Sequence, residues 1–262
     1  MVLMPLCHPT PVGVMAAWIA GAISPSQACF PRRPNDLSER LLRYALSGMT
    51  AITVYCSSSS FLDPAFHDEA RAVGAGIARR GWTLVYGGGS LGLMGEPARA
   101  AKPAGSRVIG IITRRLMALE QGWNGCDELV VVDTMRERKR MLEHRGDAFL
   151  VLPGGLGTYE ELFEILVGKL LGEHVKPVAI INAHGYFNPL IAMVEHGIAH
   201  RFIPERAREL FAISPDVEPL LDALAARLGS RTAALKQAAA GTVTPLSHDT
   251  SLAGVTDNGR TC

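Results

Sequence analysis

Six apolar runs of strand length recur along the middle of the chain, at Ile52–Cys56, Thr83–Tyr86, Arg107–Thr113, Leu129–Val132, Ala148–Leu152 and Pro177–Asn182, and helical stretches alternate with them. This alternation predicts an α/β domain built as a doubly wound, mostly parallel sheet with helices on both faces. Boundary residues support it. Asp63 is a cap for a helix over Pro64–Arg80 with proline at its first position. Tyr186–His200 keeps its one proline, Pro189, in the first turn, where the missing N–H is harmless. Lys102-Pro103 ends or kinks the helix that precedes it.

Two of the strand-to-helix turns are rich in glycine. In Leu152-Pro-Gly-Gly-Leu-Gly-Thr-Tyr-Glu-Glu161 the strand Ala148–Leu152 hands over to a helix whose Leu162, Phe163, Leu166 and Leu170 fall at helical spacing. Gly154, Gly155 and Gly157 allow positive φ and keep side chains away from an anion, which the free N–H groups and dipole of the helix attract. Thr158 is placed to cap that helix and donate its hydroxyl. The second loop, Gly87-Gly-Gly-Ser-Leu-Gly-Leu-Met-Gly95, follows the strand Thr83–Tyr86. Two such loops point to one composite anion site at the carboxyl edge of the sheet. Neither is followed by the acidic strand end of a dinucleotide fingerprint, and the Walker lysine pattern is absent, which disfavours hydride transfer and triphosphate hydrolysis.

A third element, Asp133-Thr-Met-Arg-Glu-Arg-Lys-Arg140, follows the strand ending at Val132. Thr134 with Glu137 three residues on forms a capping box, so a helix starts here. Arg136, Arg138, Lys139 and Arg140 then occupy its first two turns, where cations oppose the helix dipole and a bound anion offsets the placement.

Together these elements resemble the LOG family, the cytokinin riboside 5′-monophosphate phosphoribohydrolases, long labelled lysine decarboxylases. Thr134–Lys139 (TMRERK) and Pro153–Glu161 (PGGLGTYEE) are similar to its paired signatures, and GGGSLGLMG and Val54–Ser59 to its other two loops. The resemblance spans about residues 50 to 228. It implies a Rossmann-like fold, a homodimer, and hydrolysis of the N-glycosidic bond of an adenine-type nucleotide monophosphate to free base and ribose 5-phosphate, with no cofactor. It also implies Arg138 and Glu161 as the catalytic pair, and phosphate binding by Gly154, Gly155, Gly157 and Thr158. The remaining substrate-binding positions fall on Ser57, Gly88, Gly89, Met94, Met135 and Lys139. Three positions depart from the family pattern: Ser57 where glycine is usual, Arg136 where histidine is frequent, and Gly168-Lys-Leu-Leu-Gly172 in place of Trp-Ala-Gln-Leu-Gly.

The chemistry asks for the same residue types. Breaking a bond between ribose and a nucleobase builds positive charge on the sugar and negative charge on the departing base, so a carboxylate near the sugar and a donor near the base are the useful groups. Glu161 supplies the carboxylate. Arginine stays charged at any working pH and serves by hydrogen bonding, not as a proton donor. Glu160 and Glu161 diverge by about 100° on a helix, which leaves one of them facing a ligand and Glu160 as a first-turn acid. A general AMP or GMP nucleosidase, and a non-catalytic nucleotide sensor or carrier on the same fold, are the competing readings.

A pyridoxal decarboxylase needs a Schiff-base lysine and a partner for the pyridine nitrogen, and none of Lys102, Lys139, Lys169, Lys176 and Lys236 has that setting. Cys7, Cys29, Cys56, Cys126 and Cys262 lack CxxC spacing and the eight histidines form no HExxH pattern, so no metal site is expected. A net charge of +1 with 19% charged residues gives no sign of a nucleic-acid surface. Scattered, odd-numbered cysteines point to a reducing, cytoplasmic compartment. No membrane association is expected: Val12–Ile23 is apolar but too short to span a bilayer, and no basic segment precedes it as in a secretory signal. Residues 1–48, with six prolines before Asn35, read as a disordered leader or an over-extended reading frame ahead of Met49. The catalytic domain is expected over 49–228, and 229–262 as a helix remnant followed by a flexible tail.

Overall fold

A computed structural model describes residues 49–241 except Gln121. The expectations for residues 1–48 and for the end of the tail lie outside the described residues. Seven strands form one sheet: β1 Ala51–Tyr55, β2 Thr83–Tyr86, β3 Val108–Thr113, β4 Glu128–Val132, β5 Ala148–Val151, β6 Val178–Ile181 and β7 Ala212–Ser214. Their order is β4-β3-β2-β1-β5-β6-β7, and every neighbouring pair is parallel. The helices are α1 Pro64–Arg79, α2 Gly92–Ala101, α3 Arg114–Glu120, α4 Met135–Arg145, α5 Leu156–Leu171, α6 Asn188–Ala199 and α7 Val217–Gly241. Each of the first six strands lies within one residue of its sequence expectation at both ends.

Side-chain alternation along the strands divides the core into two layers. Ile52 and Val54 of β1 and Leu150 of β5 face one side, where Val73 and Ile77 of α1, Leu93 and Ala98 of α2 and Leu221 and Leu224 of α7 cover them. Tyr55 of β1 and Phe149 and Val151 of β5 face the other, under Leu142 of α4 and Leu162, Ile165 and Leu166 of α5. Helices therefore cover both faces, as the alternation predicted. Asp63 caps α1 through its carboxylate, which accepts from Ala65 N–H at 2.9 Å, and α2 stops at Ala101, just ahead of Lys102-Pro103.

Strand order reverses between β1 and β5, since β1 continues to β2, β3 and β4 on one side and β5 to β6 and β7 on the other. The carboxyl ends of these two strands are where an open parallel sheet leaves a crevice for a ligand. Helix α4 returns the chain from the β4 edge to β5 by crossing over β3, β2 and β1. The first turns of that crossover lie at the carboxyl edge, and its end returns to the amino edge, where Arg145 pairs with Glu128 at the start of β4. Residues 230–241, expected as a helix remnant, are the second half of α7, and Leu228 is still part of the buried core.

Candidate active site

Four loops meet at the carboxyl edge; main-chain contacts join those after β1, β2 and β5, and a side chain ties in the segment after β4. Ser57 N–H, at the end of β1, donates to Pro153 O of the loop after β5 at 3.2 Å. Ser59 O accepts from Leu93 N–H, at the start of α2, at 3.1 Å. Gly92 makes this second approach possible: its φ is +59°, and a Cβ there would stand 2.2 Å from Ser58 O. The Ser57 hydroxyl accepts from Ser59 N–H at 3.0 Å, which folds the first loop on itself.

Thr134 caps α4 as its spacing with Glu137 predicted, accepting from Glu137 N–H at 3.1 Å. Arg138, one turn further, is turned into the protein and is 5% exposed. Its Nε donates to Ile111 O of β3 at 2.9 Å and one terminal nitrogen to Gly87 O at 3.2 Å. The other lies 3.5 Å from Glu161 Oε1 and 3.6 Å from Met135 Sδ. Charge-assisted bonds to two carbonyls, with the Glu161 carboxyl nearby, thus replace the offsetting anion that the sequence suggested for this side chain. Lys139 points to α5 and pairs with Glu160 and with Glu164, the latter at 3.0 Å. Arg136 and Arg140 are exposed.

Glu161 is 13% exposed in its side chain, and burial pushes its carboxyl up to about 7, a rise that the nearby Arg138 opposes and Glu160 assists. Tyr55, at the buried end of β1, has its phenol pushed up first by burial and then by Glu161, so it stays neutral beside that carboxyl. Glu160 and Glu161 do diverge, one to Lys139 and one to Arg138. Glu160 is not a first-turn acid, however, because α5 begins at Leu156 and Glu160 lies beyond its first turn.

The loop after β5 differs from its expected backbone. None of Gly154, Gly155 and Gly157 has positive φ; Gly155 is the N-cap of α5 with φ −89°. Thr158 is not the cap. It sits buried within the first turn, and a Cβ on Gly154 would stand 2.1 Å from its Oγ1. A Cβ on Gly155 or Gly157 would meet nothing within 4 Å. These two glycines leave room in front of the helix N-terminus, so their value is space and not torsional freedom.

The loop after β2 is filled by protein. A Cβ on Gly87 would stand 2.3 Å from the Arg138 guanidinium and 2.6 Å from Met94 Sδ. Gly88 has φ +80°, and its carbonyl accepts from Trp123 N–H at 2.9 Å, while Gly89 forms an isolated bridge with Gly122. Met94 packs against the core and Met135 is exposed at 45%. Gly87 and Tyr55 are the positions that motif reading passed over. For Tyr55 the available sign was a tyrosine ending the strand at the switch point; for Gly87 there was none, since the arginine it makes room for lies 51 residues away.

The arrangement is that of a parallel α/β protein with a helix N-terminus open at its switch point and a buried arginine–glutamate pair beside it. The comparisons agree. Residues 94–224 match a family model described as "Possible lysine decarboxylase". A probable cytokinin riboside 5′-monophosphate phosphoribohydrolase of Oryza sativa subsp. japonica is 43% identical over 173 residues, 66% of this chain and 76% of that protein. The cytokinin riboside 5′-monophosphate phosphoribohydrolase of Mycobacterium tuberculosis is 39% identical over 180 residues, 69% of this chain and 96% of that one. The chain belongs to the family of cytokinin riboside 5′-monophosphate phosphoribohydrolases.

Among solved structures, the Moco carrier protein from Chlamydomonas reinhardtii aligns with a TM-score of 0.53 at 21% identity, over 70% of this chain and 99% of that one. The molybdenum cofactor binding protein from Rippkaea orientalis gives 0.52 at 21%, over 69% and 98%. At this identity the likeness is one of fold. The decarboxylase description finds no matching lysine among the described side chains: Lys102 pairs with Asp127, Lys139 with Glu160 and Glu164, Lys169 donates to Leu210 O, and Lys176 donates to Glu143 O. Among the described residues there is no group of three metal-ligating side chains, and no helix is long and apolar enough to cross a membrane.

Proposed function

We propose that this protein hydrolyses the N-glycosidic bond of a cytokinin riboside 5′-monophosphate, releasing the free base and ribose 5-phosphate. The observation that carries the reading is the Arg138–Glu161 pair beside the open N-terminus of α5, in a chain 43% identical to a relative named for this activity. The substrate phosphate sits in front of Gly155 and Gly157, where the first N–H groups of α5 and its dipole attract it, with the Thr158 hydroxyl at the back of the cradle. Ser57 and Met135 line the approach from the neighbouring loops, Gly88 and Gly89 are buried and Met94 half-buried behind it, and Lys139 sets the position of α5 against α4 through Glu160 and Glu164.

Glu161 faces the ribose. As a carboxylate it stabilises positive charge on the ring and takes a proton from the attacking water, for which an affinity near neutrality is well matched. The C1′–N bond breaks with its electron pair going to the base, water oxygen bonds to C1′, and the base acquires its proton from solvent. Arg138 keeps the Glu161 carboxylate oriented and adds fixed positive charge where the base departs.

We assign the catalytic unit to residues 49–228, since Leu228 is the last core residue of α7 among the described side chains. A homodimer is supported by exposed apolar side chains on and beside α5, Val167 at 51%, Leu171 at 70% and Val175 at 70%. A cytoplasmic location is supported by five scattered cysteines, an odd number without the spacing of a disulfide framework. The reading is tested by chromatography of free base released from isopentenyladenosine monophosphate, AMP, GMP and the unphosphorylated riboside. Release of isopentenyladenine from the monophosphate alone is the expected result. Release chiefly from AMP or GMP makes the protein a general nucleosidase, and binding without release makes it a nucleotide carrier; either overturns the proposal.

A further inference from the structure

Tyr186 stands in the turn between β6 and α6, and its hydroxyl donates to the carbonyl of Gly154 at 2.6 Å. The ring is gripped on two sides. Phe66 of α1 meets it edge-to-face with centroids 6.1 Å apart, and Phe187 does so at 5.1 Å. Phe66 also packs edge-to-face on His184, at 5.4 Å. His184 itself adopts the left-handed backbone region with φ 51°, a conformation costly for a residue with a Cβ and kept only where surroundings enforce it. The turn thus aims this phenol at that carbonyl, with the Tyr159 side chain as its other polar neighbour.

That carbonyl belongs to the peptide joining Gly154 to Gly155. A trans peptide is planar, so its C=O and N–H point in opposite directions. Pinning Gly154 O on Tyr186 therefore turns Gly155 N–H the other way, and the space beside Gly155 is open to at least 4 Å. Between two glycines no Cβ resists rotation of this peptide plane. A flipped plane would present a carbonyl oxygen to an anion in place of a donor.

We propose that Tyr186 is a positioning residue for phosphate recognition, acting through the Gly154 carbonyl to hold the Gly155 N–H toward the bound anion. This rests on the reading of the loop as a phosphate cradle. Tyr186 touches the loop and not the substrate, so it affects capture of the phosphate and leaves the chemistry at Glu161 alone.

The test compares the full-length protein with Tyr186→Phe, which removes one hydroxyl and keeps the ring. Binding of ribose 5-phosphate and of inorganic phosphate, measured by titration calorimetry, is expected to weaken about 3- to 10-fold, the worth of one such hydrogen bond. KM for a nucleotide monophosphate rises by the same factor with kcat within about twofold, the signature of lost binding common to ground and transition states. Affinity for the unphosphorylated riboside is unchanged. The Gly155 amide resonance in a nitrogen–proton correlation spectrum shifts without any ligand present, which a merely structural role for the ring would not produce. Wild-type affinity for ribose 5-phosphate in the variant, or an equal loss toward the riboside, overturns the role of Tyr186 and leaves the cradle standing. Failure of the unaltered protein to bind ribose 5-phosphate or phosphate at all overturns the cradle and this inference with it.

Discussion

The two glycine loops look alike in sequence and are opposites in space. After β5, a side chain at Gly155 or Gly157 would project into open volume, whereas after β2 a side chain at Gly87 would strike the Arg138 guanidinium at 2.3 Å. One loop keeps room for a ligand, and the other keeps room for the protein's own arginine. Glycine here answers two different needs: access to a helix N-terminus, and close approach of a buried cation to a main-chain carbonyl. The loops are coupled through one residue, because Arg138 binds Gly87 O on one side and faces Glu161 on the other.

The contrast is broken most severely at Gly87. Gly87→Ala forces the guanidinium off its carbonyl and away from Glu161, and steady-state kinetics are expected to show a loss of about 100-fold in kcat/KM, the scale of a displacement near 1 Å in a reacting constellation. Wild-type kinetics in that variant would mean that Arg138 has another stable seat. Gly155→Val leaves the fold intact and fills the open volume. Its KM for a nucleotide monophosphate is expected to rise about tenfold, near 1.4 kcal/mol, with kcat and the thermal midpoint unchanged. A fall in thermal stability instead would show that the space at Gly155 belongs to the protein.

Acid–base behaviour sharpens the comparison between site and scaffold. Burial raises Glu161 from 4.5 to about 7, so base release by its carboxylate is expected to climb with pH through a midpoint near 7, and a flat pH–rate profile across pH 6–8 would contradict that role. Stability runs the opposite way at this residue. The fold holds the proton more tightly than the unfolded chain does, so the contribution of Glu161 is present below 4.5 and lost as pH rises through about 7.

His174 shows the reverse sign. Its ring is pushed from 6.5 down to about 4 by burial. It accepts from Lys176 N–H at Nδ1 and donates from Nε2 to Ile165 O, at 3.2 and 2.8 Å. Its contribution is present above 6.5 and lost as pH falls through about 4. Thermal melts of His174→Gln are expected to show a shallower acid-side decline than the unaltered protein, the smallest of these effects. An unchanged acid-side slope would remove His174 from the account.

Much of the architecture was legible because strands buried on both faces are written as apolar runs, as β1, β2, β3, β5 and β6 are, while the half-exposed edge strand β4 is apolar enough in Leu129–Val132 to be read the same way. The exception is β7, Ala212–Ser214, three half-buried residues too short to carry a period. The caps at Asp63 and Thr134 were legible because each is a local hydrogen bond between a side chain and a nearby N–H. The pairing of Arg138 with Glu161 followed from family motifs, since it joins α4 to α5 across 23 residues and no local periodicity encodes it. The inward turn of Arg138 was not legible. A run of four cations among five residues reads as a solvated face until the crossover of α4 over β3 and β2 supplies carbonyls for one of them. The division of labour between the glycine loops was hidden for the same reason: what a missing Cβ makes room for comes from elsewhere in the chain.

The central claim is that Glu161 acts on the breaking bond while the open loop holds the phosphate. The most direct measurement pairs single-turnover base release with equilibrium nucleotide binding in Glu161→Gln. The account predicts that release is abolished while nucleotide affinity stays within about tenfold of the unaltered protein; release at the unaltered rate would contradict it.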